Sequence, residues 1–201
     1  GQRLGALHQT ILRSGRRPLI VDAGANIGAS AVWFLNVFPD SFVCAIEPDR
    51  SNVELLALNT QAFPHKHLYT GAIASYDGEV RLFDPGLSDW GFRITAEALP
   101  AEMVRAVVPC ISPNTILQSD SVRDTIPFIM KIDIEGAEGD LFRCDVEWMD
   151  RFPLLIIELH DWMLPFQHTS RAFIQALARY DFEVLVRGEN LFLFKMKLLV
   201  P

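Results

Sequence analysis

The sequence predicts a three-layer, doubly wound α/β protein, in which helices cover both faces of a mostly parallel sheet. Short apolar runs alternate along the chain with segments whose apolar residues recur at helical spacing. Most of these runs are continuously apolar, which is typical of strands buried on both faces. The last two runs meet at a short turn at Glu189 and Asn190, so a closing antiparallel hairpin is expected at the C-terminal end.

The first half of the chain begins with a helix and then alternates strand and helix. Leu4, Leu7 and Ile11 recur at helical spacing, which predicts a helix within residues 1–15 ahead of a core over residues 16–201. Strands are expected over residues 18–21, 41–48 and 67–75. A helix is expected over residues 27–38, and another begins at a Ser51/Glu54 capping box. A further strand over residues 79–85 is expected to pair with the strand over residues 67–75 through an Asp77–Gly78 turn.

The second half opens with the least regular stretch, residues 86–121, and then resumes the alternation. Strands are expected over residues 127–136 and 153–162, with a helix between them that runs through Leu141, Val146 and Met149. Phe173, Ile174 and Leu177 mark one more helix. The closing hairpin is predicted over residues 182–188 and 190–196.

Length and composition indicate one globular domain over residues 1–201. The net charge of -7 argues against a surface for nucleic acid, which usually needs a basic face. No apolar run reaches the roughly 18 residues of a membrane span. The three cysteines are scattered and odd in number, which is typical of reduced thiols in a cytoplasmic protein.

The turn after the first strand is built almost entirely of small residues. Asp22 ends the strand, and Gly24, Ala25, Asn26 and Gly28 follow it. Glycines at a strand-to-helix turn either make the turn tight or let a ligand approach the backbone near the helix N-terminus. The turn alone leaves both interpretations open.

Glu47 favours the ligand interpretation. It ends the second strand about 20 residues beyond Gly28, the separation at which a carboxylate accepts the hydroxyls of a ribose. A dinucleotide site would need a further glycine where Asn26 stands, and Asp22 would repel a pyrophosphate. A ribose-bearing cation without phosphate fits better, and S-adenosylmethionine is such a ligand.

The ends of two later strands carry an unusual set of ionisable residues. Lys131, Asp133 and Glu135 share one face of a central strand, and Glu158 and His160 share a face of the next one. Charged groups at such positions either form an internal ion-pair network or serve a site, because unpaired burial is costly. Both interpretations remain open for these residues.

Three stretches together resemble the FkbM-type methyltransferases that use S-adenosylmethionine: "VDAGANIGAS", "AIEPDRSNVELLALN" and "KIDIEGAEGDLF". The resemblance runs in order from about residue 18 to residue 160. It implies the Rossmann-like fold of class I methyltransferases, with a seven-stranded sheet and a C-terminal antiparallel hairpin. It also implies O-methylation of a hydroxyl, often on a sugar, glycan or small natural product.

The resemblance carries a cofactor site onto matching residues. The adenine would lie beside the stretch after the third strand, where "GAIAS" lacks the acidic residue common in other class I methyltransferases. The methionine part and the transferring methyl would lie near Asp133. The implied cofactor residues are Asp22, Gly24, Ala25, Asn26, Gly28, Glu47, Ala72, Ser75, Asp133 and Glu135.

The expected catalytic residues are His160, Asp133 and Glu158. Transfer to a neutral alcohol needs a base, and His160 titrates near neutrality, with Glu158 or Asp133 able to orient it or act instead. Trp90, Phe92 and Trp162 are candidates for stacking on the acceptor. Asp133, Glu158, His160 and Asp161 offer metal ligands, but without diagnostic spacing, so no metal is assigned.

Two other functions remain open from the sequence. One is a non-catalytic module that keeps the fold and binds a partner. The other is a nicotinamide-dependent oxidoreductase, which the incomplete glycine pattern disfavours. The oligomeric state and the identity of the acceptor are not predicted.

Overall fold

The structure, a computed structural model, describes residues 2–83, 93–95, 104–163 and 165–199 of the chain. Two sheets account for its strands. The larger has seven strands, and the smaller has four. The strands are β1 Arg17–Ala23, β2 Phe42–Glu47, β3 Lys66–Thr70, β4 Ala72–Ile73, β5 Gly78–Phe83, β6 Arg93–Thr95, β7 Val104–Ile111, β8 Thr125–Ile132, β9 Leu154–Glu158, β10 Glu183–Arg187 and β11 Asn190–Phe194.

The seven-stranded sheet has the order β10-β11-β9-β8-β1-β2-β3. Its five strands from β3 to β9 pair in parallel, while β11 pairs antiparallel with β9 and with β10. The chain passes from β1 outward through β2 and β3, and then returns to place β8 on the other side of β1. The switch point therefore lies between β1 and β8, where ligands bind in such sheets. This architecture confirms the predicted fold class.

Helices cover both faces of this sheet. Leu19 and Val21 of β1 belong to one apolar cluster, with Trp148 and Phe173. Ile20 of β1 belongs to a second cluster on the opposite face. The helices are α1 Gln2–Arg13, α2 Ala29–Val37, α3 Arg50–Asn59, α4 Pro113–Gln118, α5 Glu138–Leu141, α6 Arg171–Leu177 and α7 Met196–Leu199, with 3₁₀ segments at 120–122, 146–151 and 161–163.

The predicted hairpin between residues 67–75 and 79–85 is wrong. Strand β5 pairs antiparallel with β7, and Gly78 lies opposite Cys110. The two-residue strand β4 runs parallel to β7 from the other side, with Ala72 opposite Cys110. The long strand β7 thus lies between β4 and β5 and takes the hydrogen bonds that the hairpin would have used.

Two helix predictions also need correction. The continuous helix expected through Leu141 and Met149 is interrupted, because α5 ends at Leu141 and Asp145 adopts a left-handed backbone with φ of 53° before a 3₁₀ segment begins. Asp49, rather than Ser51, caps α3, since its carboxylate accepts hydrogen bonds from the amides of Ser51 and Asn52. Among the described residues, no helix is long and apolar enough to cross a membrane.

Candidate functional site

The carboxyl ends of the central strands bring the predicted ionisable residues together. Asp22 of β1 lies directly opposite Lys131 of β8 in the parallel ladder, so the two side chains share one face of the sheet. Asp133 follows β8, Glu158 ends β9, and His160 lies two residues beyond it. The site is thus built at the switch point and along the edge from β1 to β9.

Gly24 is required by a close approach of two backbone segments. Its φ is 76°, and a Cβ atom there would lie 1.7 Å from the carbonyl oxygen of Asp133. The amide of Asp133 in turn donates to the carbonyl of Ala23. Gly24 therefore lets the turn after β1 pack directly against the segment that carries Asp133.

Gly28 has a similar packing role at the start of α2. Its φ is 90°, and an added Cβ would lie 2.6 Å from Cδ1 of Leu56 in α3. The space beside each of these two glycines is thus filled by the protein itself. The sequence left open whether these glycines make the turn tight or admit a ligand, and the observed contacts directly support the tight turn.

Glu47 is held at the end of β2 by backbone amides. One carboxylate oxygen accepts from the amide of Asn26 at 2.9 Å, and the other accepts from the amide of Asp49 at 2.9 Å. The residue is only 6% exposed. Burial raises the pKa of Glu47 above its ordinary value, against these hydrogen bonds and that from the Asn52 side chain. The carboxylate is therefore fixed in position beside the first turn.

Asp22 is completely buried, and its charge is balanced by Lys131. The Ser30 hydroxyl donates to Oδ2 of Asp22 at 2.6 Å, and Nζ of Lys131 lies 3.6 Å from Oδ1. Nζ of Lys131 also donates to Oδ2 of Asp133 at 3.1 Å. Burial opposes the charge on Lys131, but the attraction of the two carboxylates outweighs it and raises the pKa of Lys131. The ammonium of Lys131 thus lies between Asp22 and Asp133.

His160 is 2% exposed and is oriented by Glu138, a residue outside the predicted site. Its Nδ1 lies 2.7 Å from Oε1 of Glu138, a carboxylate that is completely buried. Glu138 is not among the site residues predicted from the sequence, and it begins α5, where a carboxylate also interacts favourably with the helix dipole. The motif Asp133-x-Glu135-Gly136-x-Glu138 includes this residue, but only the three-dimensional structure shows that its buried partner is His160.

The other ring nitrogen of His160 faces three carboxylates. Nε2 lies 3.6 Å from Oδ1 of Asp133, 3.6 Å from Oε2 of Glu135 and 3.7 Å from Oε1 of Glu158. Burial opposes a charge on His160, but Glu138 and the other carboxylates outweigh it and raise the pKa of the imidazole. Burial, followed by repulsion from Asp133, raises the pKa of Glu158. We call Asp133, Glu135, Glu158 and His160 the acidic cluster.

The remaining predicted residues have varied positions. Ala72 is buried in β4, and Ser75 is half-buried shortly after it. The amide of Gly71 donates to the carbonyl of Glu47 at 3.0 Å, so this stretch begins beside the end of β2. Trp162 is 72% exposed. Trp90 and Phe92 lie outside the described residues.

Asp161 does not join the acidic cluster. Its Oδ1 accepts from the Thr169 hydroxyl at 3.0 Å and from the amide of Ser170 at 3.2 Å. These hydrogen bonds lower the pKa of Asp161. Of the four candidate metal ligands in the sequence, the structure therefore brings together Asp133, Glu158 and His160.

Comparison with known proteins identifies a family and a fold. The family profile described as "Methyltransferase FkbM domain" matches residues 22–184. Among solved structures, the fibrillarin pre-rRNA processing protein of Methanococcus jannaschii has 9% identity and a TM-score of 0.50, over 89% of this chain and 65% of that one. The structure of monomeric WbdD has 11% identity and a TM-score of 0.51, over 96% of this chain and 41% of that one.

A methyltransferase from Geobacter sulfurreducens has 20% identity and a TM-score of 0.44, over 96% of this chain and 77% of that one. No curated protein matches the chain. The structural likeness at these identities concerns the fold alone, which is the Rossmann-like fold of class I methyltransferases.

Proposed function

The chain belongs to the FkbM family of methyltransferases, and from this premise we propose that it transfers a methyl group from S-adenosylmethionine to a hydroxyl of a sugar, glycan or small natural product. The observation that carries the proposal is the acidic cluster at the switch point, beside the Gly24 turn and Glu47. This position is where sheets of this kind bind ligands.

The residues present fit a cofactor that carries a ribose and positive charge. Glu47 would accept the ribose hydroxyls, because its two oxygens are fixed by amides and keep lone pairs to spare. Asp133 and Glu135, both half-buried, would favour the cationic methionine part. Ala72 and Ser75 lie beyond β3, where the adenine is expected, and Ala25 and Asn26 complete the turn. When bound, S-adenosylmethionine supplies the methyl group as an electrophile on sulfur.

Asp22 takes a role in this scheme different from the one that the sequence suggested. The sequence favours Asp22 as a residue that binds a cationic cofactor, yet Nζ of Lys131 already lies 3.6 Å from its Oδ1. We therefore assign Asp22 the positioning of Lys131 and Ser30. Lys131 in turn binds Oδ2 of Asp133 and leaves Oδ1 directed at His160.

The acidic cluster would orient the acceptor hydroxyl and take its proton. Methyl transfer to oxygen is an in-line displacement, so most of the rate comes from positioning. The oxygen forms a bond to the methyl carbon as the sulfur–methyl bond breaks, and the hydroxyl proton must leave. Glu158 suits the removal of this proton, because it is partly exposed and ends β9 within the cluster. His160, which Glu138 holds in place, would position the carboxylates.

A small or carbohydrate acceptor agrees with the charge of the chain. The net charge is -7, and the cluster itself is acidic. Such a surface repels a polyanionic acceptor such as nucleic acid and accepts a neutral, hydroxyl-rich one.

Calorimetric titration would test the cofactor first, with S-adenosylmethionine and S-adenosylhomocysteine as ligands and NADH as the control. We expect micromolar binding of the first two and none of the third. If neither methionine derivative binds, the chain is better described as a module that keeps the fold for a partner. If NADH alone binds, the oxidoreductase alternative replaces the proposal.

The role of the cluster can be tested separately from cofactor binding. We expect His160→Ala to lose most of its turnover in an acceptor screen over sugars and hydroxylated metabolites, while its affinity for S-adenosylmethionine stays within a few-fold. His67→Ala is the matched control, because His67 is exposed on the edge strand β3. Full turnover by His160→Ala would remove His160 from the mechanism.

A further inference from the structure

We propose that Asp133, Glu158 and His160 bind one divalent cation of the Mn²⁺ or Mg²⁺ kind. The expectations from sequence assigned no metal, because the spacing of these residues along the chain is not diagnostic. The proposed binding of the cation depends only on the geometry of these three residues. Its function, which is to hold the acceptor hydroxyl, rests on the methyl transfer proposed above.

Nε2 of His160 already lies from each carboxylate at a separation that a shared cation requires. One ligand atom from each residue lies within 4.8 Å of the others. Two ligands about 2.1 Å from a cation are about 3.0 Å apart at a right angle and about 4.2 Å apart in line. The distances of 3.6 Å from Nε2 of His160 to Asp133 and 3.7 Å to Glu158 fall between these limits.

The imidazole is set for metal binding by the residue behind it. Glu138 is completely buried, and its Oε1 lies 2.7 Å from Nδ1 of His160. Histidines that bind metals almost always donate their other ring N–H to a carboxylate or carbonyl in this way. With the proton on Nδ1, the lone pair of Nε2 faces Asp133 and Glu158. The His160 side chain is 2% exposed, and these oxygens are too far from Nε2 for hydrogen bonds.

The carboxylates are held in a similar manner. Lys131 binds Oδ2 of Asp133 at 3.1 Å, so that Oδ1 is the oxygen directed at His160. Oε2 of Glu135 lies 3.6 Å from the same ring nitrogen. A lone pair on Nε2 that faces several carboxylate oxygens is electrostatically unfavourable until a proton or a metal cation comes between them. A metal ion satisfies all of these groups at once.

The ligand chemistry selects the kind of cation. Two carboxylates and one imidazole make an oxygen-rich set without sulfur, which suits Mn²⁺ and Mg²⁺ better than metals that prefer thiolates. Asp133 and Glu158 are partly exposed, so water or an acceptor can approach from that side. Three protein ligands leave positions open for a hydroxyl, whose pKa the cation would lower.

The test is direct binding of Mn²⁺ to the purified full chain, without cofactor or acceptor. Free Mn²⁺ would be measured by electron paramagnetic resonance, and Mg²⁺ and Zn²⁺ would be titrated by calorimetry. We expect one Mn²⁺ site, at least a tenfold loss of affinity in Glu158→Gln, and a loss of 10- to 100-fold in Glu138→Gln. Asp161→Asn is the matched control and should bind as wild type, because Asp161 binds Thr169 and Ser170 instead.

Several results would overturn the site. These are no binding of Mn²⁺ or Mg²⁺ at millimolar concentration, binding of Zn²⁺ alone, or equal affinity in wild type and Glu158→Gln. Glu158 is partly exposed and the substitution nearly isosteric, so this variant is expected to fold even if one at buried Glu138 does not. Methyl transfer that continues unchanged in EDTA would overturn the role of the cation and leave the proposed function standing. Mn²⁺ binding without binding of S-adenosylmethionine would overturn the proposed function and leave the cation site standing.

Discussion

At His160, one hydrogen bond decides which atom of the side chain faces the site. The bond from Nδ1 to buried Glu138 turns Nε2 towards Asp133 and Glu158. Glu47 is fixed in the same way, by the amides of Asn26 and Asp49. In both cases hydrogen bonds fix the direction of a buried polar side chain, which is how a site is kept in a defined geometry.

The affinity for S-adenosylmethionine should fall as the pH is lowered through the pKa of Glu47. Only the ionised carboxylate accepts both ribose hydroxyls, so the complex favours the deprotonated form and binding weakens on protonation. Burial raises this pKa, so the loss should begin above the usual range of a glutamate. The nearby charges are Asp49 and its ion-pair partner Arg105.

Calorimetry across pH on wild type, Glu47→Gln and Glu54→Gln would measure this effect. We expect Glu47→Gln to bind more weakly at neutral pH, by about 1–3 kcal/mol, and to lack this pH dependence. Glu54 is exposed on α3, so its substitution should reproduce wild type. The same pH profile in Glu47→Gln and wild type would assign the titration to another group.

Gly24→Ala should disrupt the site at its backbone. The new Cβ would lie 1.7 Å from the carbonyl of Asp133, and alanine is strained at a φ of 76°. We expect a loss of more than about 2 kcal/mol in the free energy of unfolding, measured in urea. Gly5→Ala in α1, where a Cβ meets open space, should instead gain up to about 1 kcal/mol. Equal stability of the two variants would contradict the observed packing of the turn.

At the scale of elements, the pairing of β1 with β8 places opposite charges side by side. Their register sets Asp22 against Lys131, and the segment after β8 returns Asp133 to the same ammonium. A slip of one residue would turn Lys131 to the other face and leave Asp22 buried without a cation. The ion pairs therefore specify the register of the two central strands.

Lys131→Met should lower the free energy of unfolding by about 3–5 kcal/mol, because it leaves the buried charge of Asp22 unpaired. The double variant Lys131→Met/Asp22→Asn should recover part of this loss, since it removes the uncompensated charge. Urea unfolding of both would form a double-mutant cycle. Arg123→Met, which breaks an exposed ion pair with Asp120, is the control and should change stability little. Additive losses would contradict the coupling of Asp22 to Lys131.

At the scale of the whole molecule, the site joins both sides of the switch point. Glu47 and the first turn belong to the β1–β2 side, and the acidic cluster belongs to β8 and β9. A ligand that contacts both sides must stabilise the folded state over the unfolded one. The structure thus links binding to global stability.

S-adenosylmethionine should therefore raise the unfolding temperature by mass action. At a concentration 100 times its dissociation constant, the expected stabilisation is about 2.7 kcal/mol. Thermal unfolding followed by circular dichroism would measure it, with NADH as the control ligand. Glu47→Gln should require more ligand for the same shift. A shift of equal size with NADH would contradict the cofactor assignment.

Most of the main sheet could be predicted from the sequence, as could the strand ends at which the ionisable residues lie. The apolar runs that became β1, β2, β8 and β9 are continuous, and the final hairpin follows from its short turn. The second sheet could not be predicted, because β7 pairs with strands far from it along the chain and displaces the hairpin that the Asp77–Gly78 turn suggested. A local turn signal carries no information about a distant, longer partner.

The sequence by itself determined the order of strands in the main sheet and the strand ends at which ionisable residues lie. These depend on periodicity and on short-range turn and capping preferences, which act between near neighbours. Tertiary structure alone decided that Glu138 lies behind His160, that Lys131 neutralises Asp22, and that Asp161 turns away to Thr169. Those contacts depend on strand register and on packing between distant segments, where a displacement of one residue changes every partner.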